Sequence, residues 1–196
     1  MSGVPTPSPA SSAPTSTAHG LKQRLAYREK LLKLVNRIHA AKSLDTIFIE
    51  LKQDMLDLFD AERMTFYAVD RERREIYSRF LDIDTVKEIR VPINPTSVAG
   101  YVAKTGERVN IVDAYNKDEL TRIDNTLSFD ASWDRKTGFR TRQILAVPIM
   151  YENRLMMGVI QLLNKKHGDK FTDDDEANVV EIAKSLATAL HTLQRL

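Results

Sequence analysis

The chain has 196 residues, 42% of them hydrophobic and 29% charged, which is enough to bury a core and excludes a wholly disordered polypeptide. Its 29 lysines and arginines against 27 aspartates and glutamates leave a formal charge of +2, which excludes the broad electrostatic footprint of a non-specific nucleic-acid binder. There is no cysteine, so disulfides, thiolate metal sites and thiol nucleophiles are excluded together.

Residues 1–19 hold four of the seven prolines and eight serines and threonines, with no charged side chain. They read as a disordered tail, because they cannot bury enough apolar area to offset the entropy of ordering them. From Leu21 to Lys42 the residues Leu21, Leu25, Leu32, Val35 and Ile38 recur at helical spacing among Arg24, Arg28, Lys30 and Lys33. This predicts an amphipathic dimerisation helix over 20–43. Ser43 is placed to cap a second helix, whose stripe is Leu44, Ile47, Phe48, Leu51, Met55, Leu58 and Phe59.

Six short β-rich runs follow: Met64–Val69, Glu75–Leu81, Glu88–Ile93, Arg108–Val112, Gln143–Tyr151 and Leu155–Leu163. The charged turn Asp70–Arg74 and the pair Glu152 and Asn153 each close an antiparallel hairpin, so one sheet of five or six strands is expected. Thr96 or Ser97 caps a short helix that ends near Gly106. Residues 113–140 lack sustained periodicity yet carry Tyr115, Phe129 and the single tryptophan, Trp133. A loop of that length with aromatics to pack reads as a lid. Thr172 and Asp175 form a capping box for a last helix, whose Val179, Ala183, Leu186, Leu190 and Leu193 resemble a coiled-coil seam. No apolar stretch approaches the roughly 20 residues of a membrane helix, and the signal-peptide pattern is missing. A cytoplasmic protein without a membrane partner is expected.

Little in this pattern points to catalysis. His19, His39, His167 and His191 fall in no metal-ligand or catalytic spacing, and the G-x-S-x-G elbow, the P-loop and the G-x-G-x-x-G fingerprint are missing. Asp173, Asp174, Asp175 and Glu176 sit in the first turn of a helix, where the dipole and free N–H groups favour carboxylates, so they read as a cap rather than a metal site. No cofactor or metal is expected. The amides of Val98 and Ala99 at a helix N-terminus can receive a phosphate, but every capped helix offers such amides. The run Asp134 to Arg142 suits either recognition of a small polar ligand or a solvated approach to a strand.

Val98-Ala99-Gly100-Tyr101-Val102-Ala103-Lys104-Thr105-Gly106, then Asn110-Ile111-Val112-Asp113-Ala114-Tyr115, then Thr137-Gly138-Phe139-Arg140-Thr141-Arg142 resemble the GAF domains of cyclic-nucleotide phosphodiesterases and bacterial adenylyl cyclases. The spaced set Asn164, Lys165, Phe171, Asp175 and Glu176 completes the resemblance, which covers about residues 30–196. It implies an α+β fold over 44–196: a central antiparallel sheet with the terminal helices on one face and a ligand pocket under loops on the other. Carried over position by position, Thr65 and Phe80 line a base pocket, and the Val98 and Ala99 amides meet a cyclic phosphate. Asp134, Thr137 and Thr141 contact base, ribose or phosphate, Gln161 faces the purine, and Lys165 with Asp175 forms a structural salt bridge.

Three departures from the family pattern shape the expected ligand. Leu81 and Gln161 stand where many or some binding members carry carboxylates, which disfavours guanine. Asn94-Pro95-Thr96-Ser97 replaces a glycine-containing approach to the phosphate helix, and the lid is longer than usual. The lack of cysteine disfavours the bilin-attaching and methionine-sulfoxide-reducing branches. The resemblance therefore implies a non-enzymatic regulatory module that binds a cyclic purine nucleotide. It would form a homodimer through its terminal helices and signal to an effector such as a cyclase, phosphodiesterase, kinase or secretion or pilus ATPase. The alternative is a dimerisation or protein-interaction module with a self-filled pocket.

Overall fold

The structure, a computed structural model, describes residues 15–82 and 85–194, apart from the side chains of 15–19, 81, 82, 85 and 86. Most of the expected tail, residues 1–14, lies outside the described residues. The first helix, α1, runs Thr15–Ala40, so it starts five residues before the expected Gly20. No proline falls between Pro14 and Pro92, so no residue lacking an amide stops the helix from starting there. After α1, the Ser43 hydroxyl accepts from the Thr46 amide at 3.1 Å. A π-helical turn follows over Thr46–Glu50, and α2 spans Lys52–Phe59. The expected single second helix is thus two pieces, with the Leu51 amide reaching back five residues to the Thr46 carbonyl at 3.2 Å.

Six strands form one antiparallel sheet, β1 Ala61–Asp70, β2 Glu75–Asp82, β3 Thr85–Pro92, β4 Val109–Ile111, β5 Ile144–Tyr151 and β6 Leu155–Lys165, in the order β3-β2-β1-β6-β5-β4. Both expected hairpins are present. In the second, Glu152 and Asn153 take positive φ of 50° and 55°, the backbone that a tight, right-twisting hairpin turn needs. Between β3 and β4 lies α3, Val98–Thr105, capped by the Ser97 hydroxyl and ended by Gly106 at φ 74°. The last helix, α6, spans Asp173–Leu193 and has the Thr172–Asp175 capping box.

Strand alternation sends side chains to two distinct cores. On one face, Phe66, Leu145, Val147, Ile160 and Leu162 pack with α1, α2 and α6 through Leu31, Leu34, Ile38, Phe59, Val179, Ile182 and Leu186. On the other, Tyr67, Ile76, Ile144, Ala146 and Val159 pack under α3 and the residues that follow β4. The seam read on α6 is therefore spent within the chain. Val179, Ala183, Leu186 and Leu190 are buried against the sheet and α1, because a helix stripe of that width serves a sheet face as well as a second helix. On α1 the buried face is Leu31, Leu34 and Ile38, while Leu21, Leu25 and Leu32 stay exposed.

The ladders are unequal in length. β1 pairs with β6 from Ala61 to Ala68, and β2 pairs with β3 along its whole length. Between β1 and β2 the described pairs stop at Ala68–Tyr77, after only three. Beyond that point a cleft opens between the β2–β3 hairpin and the first half of β1.

Candidate ligand site

The cleft continues into a cavity of about 720 Å³, within the roughly 300–1,000 Å³ typical of small-molecule sites. It is a partly open hollow rather than a sealed one. Its walls are β1, β2, β3 and β6, with α3 at one side, the π-helical turn and α2 at another and the segment between β4 and β5 above. That segment, read from sequence as an irregular lid, holds two short helices, α4 Lys117–Ile123 and α5 Ser132–Thr137. At seven and six residues, neither is long enough to show a periodic stripe. Its aromatics pack as expected of a loop with its own core: Tyr115 meets Phe129 edge-on with ring centres 5.1 Å apart, and the Arg140 guanidinium lies 3.8 Å over Tyr115. Trp133 lines the cavity but is 40% exposed and does not plug it.

Thr65, Phe80, Val98, Ala99, Asp134, Thr137, Thr141 and Gln161 all line this one cavity. They come from β1, β2, α3, α5, the approach to β5, and β6, so the fold gathers residues up to 96 positions apart. Thr65 and Gln161 are direct cross-strand partners. The amides of Val98 and Ala99 have no hydrogen-bond partner among the described residues, since the Ser97 hydroxyl takes the Gly100 amide at 3.1 Å. Gln161 likewise has an uncommitted carboxamide among the described residues. Gly100 brings α3 in closely: a Cβ there would lie 2.5 Å from the carbonyl oxygens of both Pro92 and Asn94.

Asp134 is buried, and its carboxylate is already engaged. Oδ1 accepts from the Thr141 hydroxyl at 2.7 Å, and Oδ2 accepts from the Thr141 amide at 2.7 Å and the Tyr115 phenol at 2.8 Å. A carboxylate has about four acceptor positions, so one remains for a ligand N–H. The Thr137 hydroxyl donates to the Trp133 carbonyl at 2.8 Å and keeps only acceptor capacity. Sequence reading missed Tyr67, Ser78, Lys52 and Arg63. The period of two through Thr65 points to Arg63 and Tyr67 on the same face, whereas nothing local signals Lys52. Burial pushes the Tyr67 phenol up to about 12, and the neighbouring Thr65 hydroxyl partly offsets it. Leu81 has a side chain outside the description, so its departure from the family pattern has no structural counterpart here.

The spaced set beyond the cavity holds the lid's return strand. Asn164, at φ 52°, accepts from the amides of Arg142 and Gln143 at 2.7 and 3.2 Å and donates to the Arg140 carbonyl at 2.9 Å. Lys165 pairs with Asp175, Phe171 is 1% exposed, and Glu176 pairs with Arg108. These residues fix where Thr141 stands and do not line the cavity.

Comparison with known proteins agrees with this architecture. Residues 43–190 match the GAF domain family. Over 164 residues, 78% of this chain, it is 34% identical to a probable 3',5'-cyclic phosphodiesterase, pde-5, of Caenorhabditis elegans. Over 161 residues, 76% of the chain, it is 31% identical to the dual 3',5'-cyclic-AMP and -GMP phosphodiesterase 11A of Takifugu rubripes. The chain spans 21% and 17% of the length of these relatives. Among solved structures, the GAF domain of an Acinetobacter phosphoenolpyruvate-protein phosphotransferase superposes with a TM-score of 0.66 at 18% identity, covering 86% of this chain and 94% of that one. Free methionine-R-sulfoxide reductase of Neisseria meningitidis shares the fold at a TM-score of 0.63 and 18% identity, covering 86% and 90%. The α+β fold is that of GAF domains. The chain belongs to the GAF family and is related to the GAF-containing phosphodiesterases.

Proposed function

We propose that this GAF domain is a regulatory sensor that binds a cyclic purine nucleotide in the cavity and turns over nothing itself. The observation that carries this reading is convergence: eight residues taken from a family resemblance, scattered from β1 to β6, share one cavity with amides and a carboxamide that have no partner among the described residues. The Val98 and Ala99 amides receive the cyclic phosphate, where the helix end favours an anion. Gln161 offers one donor and one acceptor, the pattern that pairs with adenine, so adenine is preferred over guanine. Phe80 stacks on the base, and the remaining acceptor position of Asp134, with Thr137 and Thr141, meets ribose or base.

Ligand contact draws the β2–β3 hairpin and the lid together. The hairpin is tied to the π-helical turn through Arg79 and Asp45 at 3.1 Å, and that turn leads into the helices of the opposite face. Binding thereby shifts the arrangement of α1 and α6, as long as the two arrangements differ in ligand affinity. The output passes through a homodimer to an effector domain or protein in the cytoplasm: a cyclase, phosphodiesterase, kinase or secretion or pilus ATPase. One observation favours a second reading, a dimerisation or interaction module with no ligand: Asp134 is satisfied by Thr141 and Tyr115 without a guest. Denaturing the purified protein and identifying by mass what it releases separates the two. A purine nucleotide at near-equal molar amount supports the sensor, and its lack, with no uptake of added nucleotide, supports the interaction module.

A further inference from the structure

The charged groups around the cavity are mostly neutralised by one another. Arg79 is held by Asp45 and Glu88 at 3.1 and 3.4 Å, and Arg90 by Asp70, Glu75 and Glu88 at 2.9, 3.2 and 2.7 Å. Glu62 accepts from the Asn164 carboxamide at 2.9 Å and stands 3.8 Å from Arg142. Asp130 accepts from the Ser132 amide at 2.9 Å, and Asp134 is satisfied as described. Two cations in the wall are left over. Lys52, the first residue of α2, and Arg63, on β1, have neither a carboxylate nor a hydrogen-bond partner among the described residues.

Arg63 is exposed to solvent, yet it is not free to move. The Arg63 guanidinium lies over the Phe139 ring, 3.9 Å from its centre, which fixes its plane and leaves its edge N–H donors free. Lys52 is half-buried, and burial first and the nearby Arg63 second hold its ammonium below its ordinary value. Two like charges brought together on the wall of a hollow, one of them partly desolvated, weaken the empty protein. An anion between them would relieve both costs, and a guanidinium fork beside an ammonium matches the oxygens of a phosphate or carboxylate.

We propose that Lys52 and Arg63 form an anion subsite in the cavity wall, which takes a phosphate or carboxylate group. The subsite rests on the reading of the cavity as a ligand site and adds side-chain recognition of charge to the backbone amides of α3. It also raises the affinity of the cavity for any small anion, a nucleotide included, in a salt-dependent manner.

The test uses inorganic pyrophosphate as the probe, with side-chain nitrogen resonances of Lys52 and Arg63 followed by NMR in the whole chain. Pyrophosphate is expected to shift both resonances, and K52M and R63Q should each weaken it at least tenfold. Each variant removes the charge but keeps an unbranched side chain at a position that is not fully buried, and each should melt no lower than the parent without anion. Cyclic AMP, measured by calorimetry, should weaken several-fold in the same variants at low salt. Pyrophosphate that leaves both resonances unmoved at 20 mM, or binds the two variants as well as the parent, overturns the subsite even if cyclic AMP still binds. Pyrophosphate binding without any cyclic nucleotide binding keeps the subsite and removes the nucleotide reading.

Discussion

Asp134 holds the end of the lid to the approach of β5 through Thr141 and Tyr115, and its own position follows from α5. Replacing it with alanine strands the buried Thr141 amide and the Tyr115 phenol, and each unsatisfied donor costs about 1–3 kcal/mol. Asp134→Ala should therefore lower unfolding stability by about 2 kcal/mol, read as a lower urea midpoint, and should abolish nucleotide binding as well. An unchanged midpoint would mean that the three hydrogen bonds are not formed. A second residue-scale expectation concerns pH. The Tyr67 phenol is raised from 10.0 to about 12 by burial. The native state thus holds this proton longer than the unfolded chain does. Its contribution is complete below pH 10 and is lost as pH rises toward about 12. Urea titrations at pH 9 and 11 should show a larger loss for the parent than for Tyr67→Phe, and equal losses would remove Tyr67 as a source. Residues that cap or pair locally, such as Ser97, Thr172 and Asp175, were legible from spacing. Asp134 with Tyr115 was not, because the pair spans 19 residues of backbone without a repeating geometry.

The elements themselves carry α3 close to the sheet, and Gly100 makes the approach possible. A methyl group there would meet two carbonyl oxygens at 2.5 Å, which side-chain rotation cannot relieve. Gly100→Ala should lower stability by about 1–3 kcal/mol or more and move α3 away from the cavity. The checks are a thermal melt and the loss of nucleotide-induced stabilisation; a wild-type melt with intact binding would contradict the close packing. Six strands and the two long helices were readable because their residues repeat at two or near three and a half positions. The pairing of those strands was only partly readable. No residue of β1 or β2 announces that their ladder stops after three pairs, since that depends on how the hairpin, Phe48 and the π-helical turn share space. Phe48 packs at a tilt against both Phe66 and Tyr77, with ring centres 4.9 and 5.8 Å apart, and lines the cleft. The α6 stripe shows the converse limit: its period identified a helix with one buried face but not which partner buries it.

Across the molecule, one face of the sheet carries the helical layer and the other carries α3 and the segment between β4 and β5. α1 extends beyond the helical layer: Leu21, Leu25 and Leu32 are 68%, 60% and 61% exposed, spaced by four and seven along one stripe. Three exposed leucines at coiled-coil spacing fit a second copy of the same helix, so the proposed dimer would form through α1 rather than α6. Sedimentation at tens of micromolar should give a dimer, and Leu25→Glu with Leu32→Glu should give a folded monomer; a monomeric parent would contradict the seam. The account as a whole depends on the cavity accepting a cyclic purine nucleotide. Thermal unfolding with added cyclic AMP tests it most directly, because ligand at about 100 times its dissociation constant adds roughly 2.7 kcal/mol. Cyclic AMP should raise the midpoint, and cyclic GMP should raise it less. A midpoint that neither nucleotide moves at millimolar concentration, in protein that unfolds cooperatively, would contradict it.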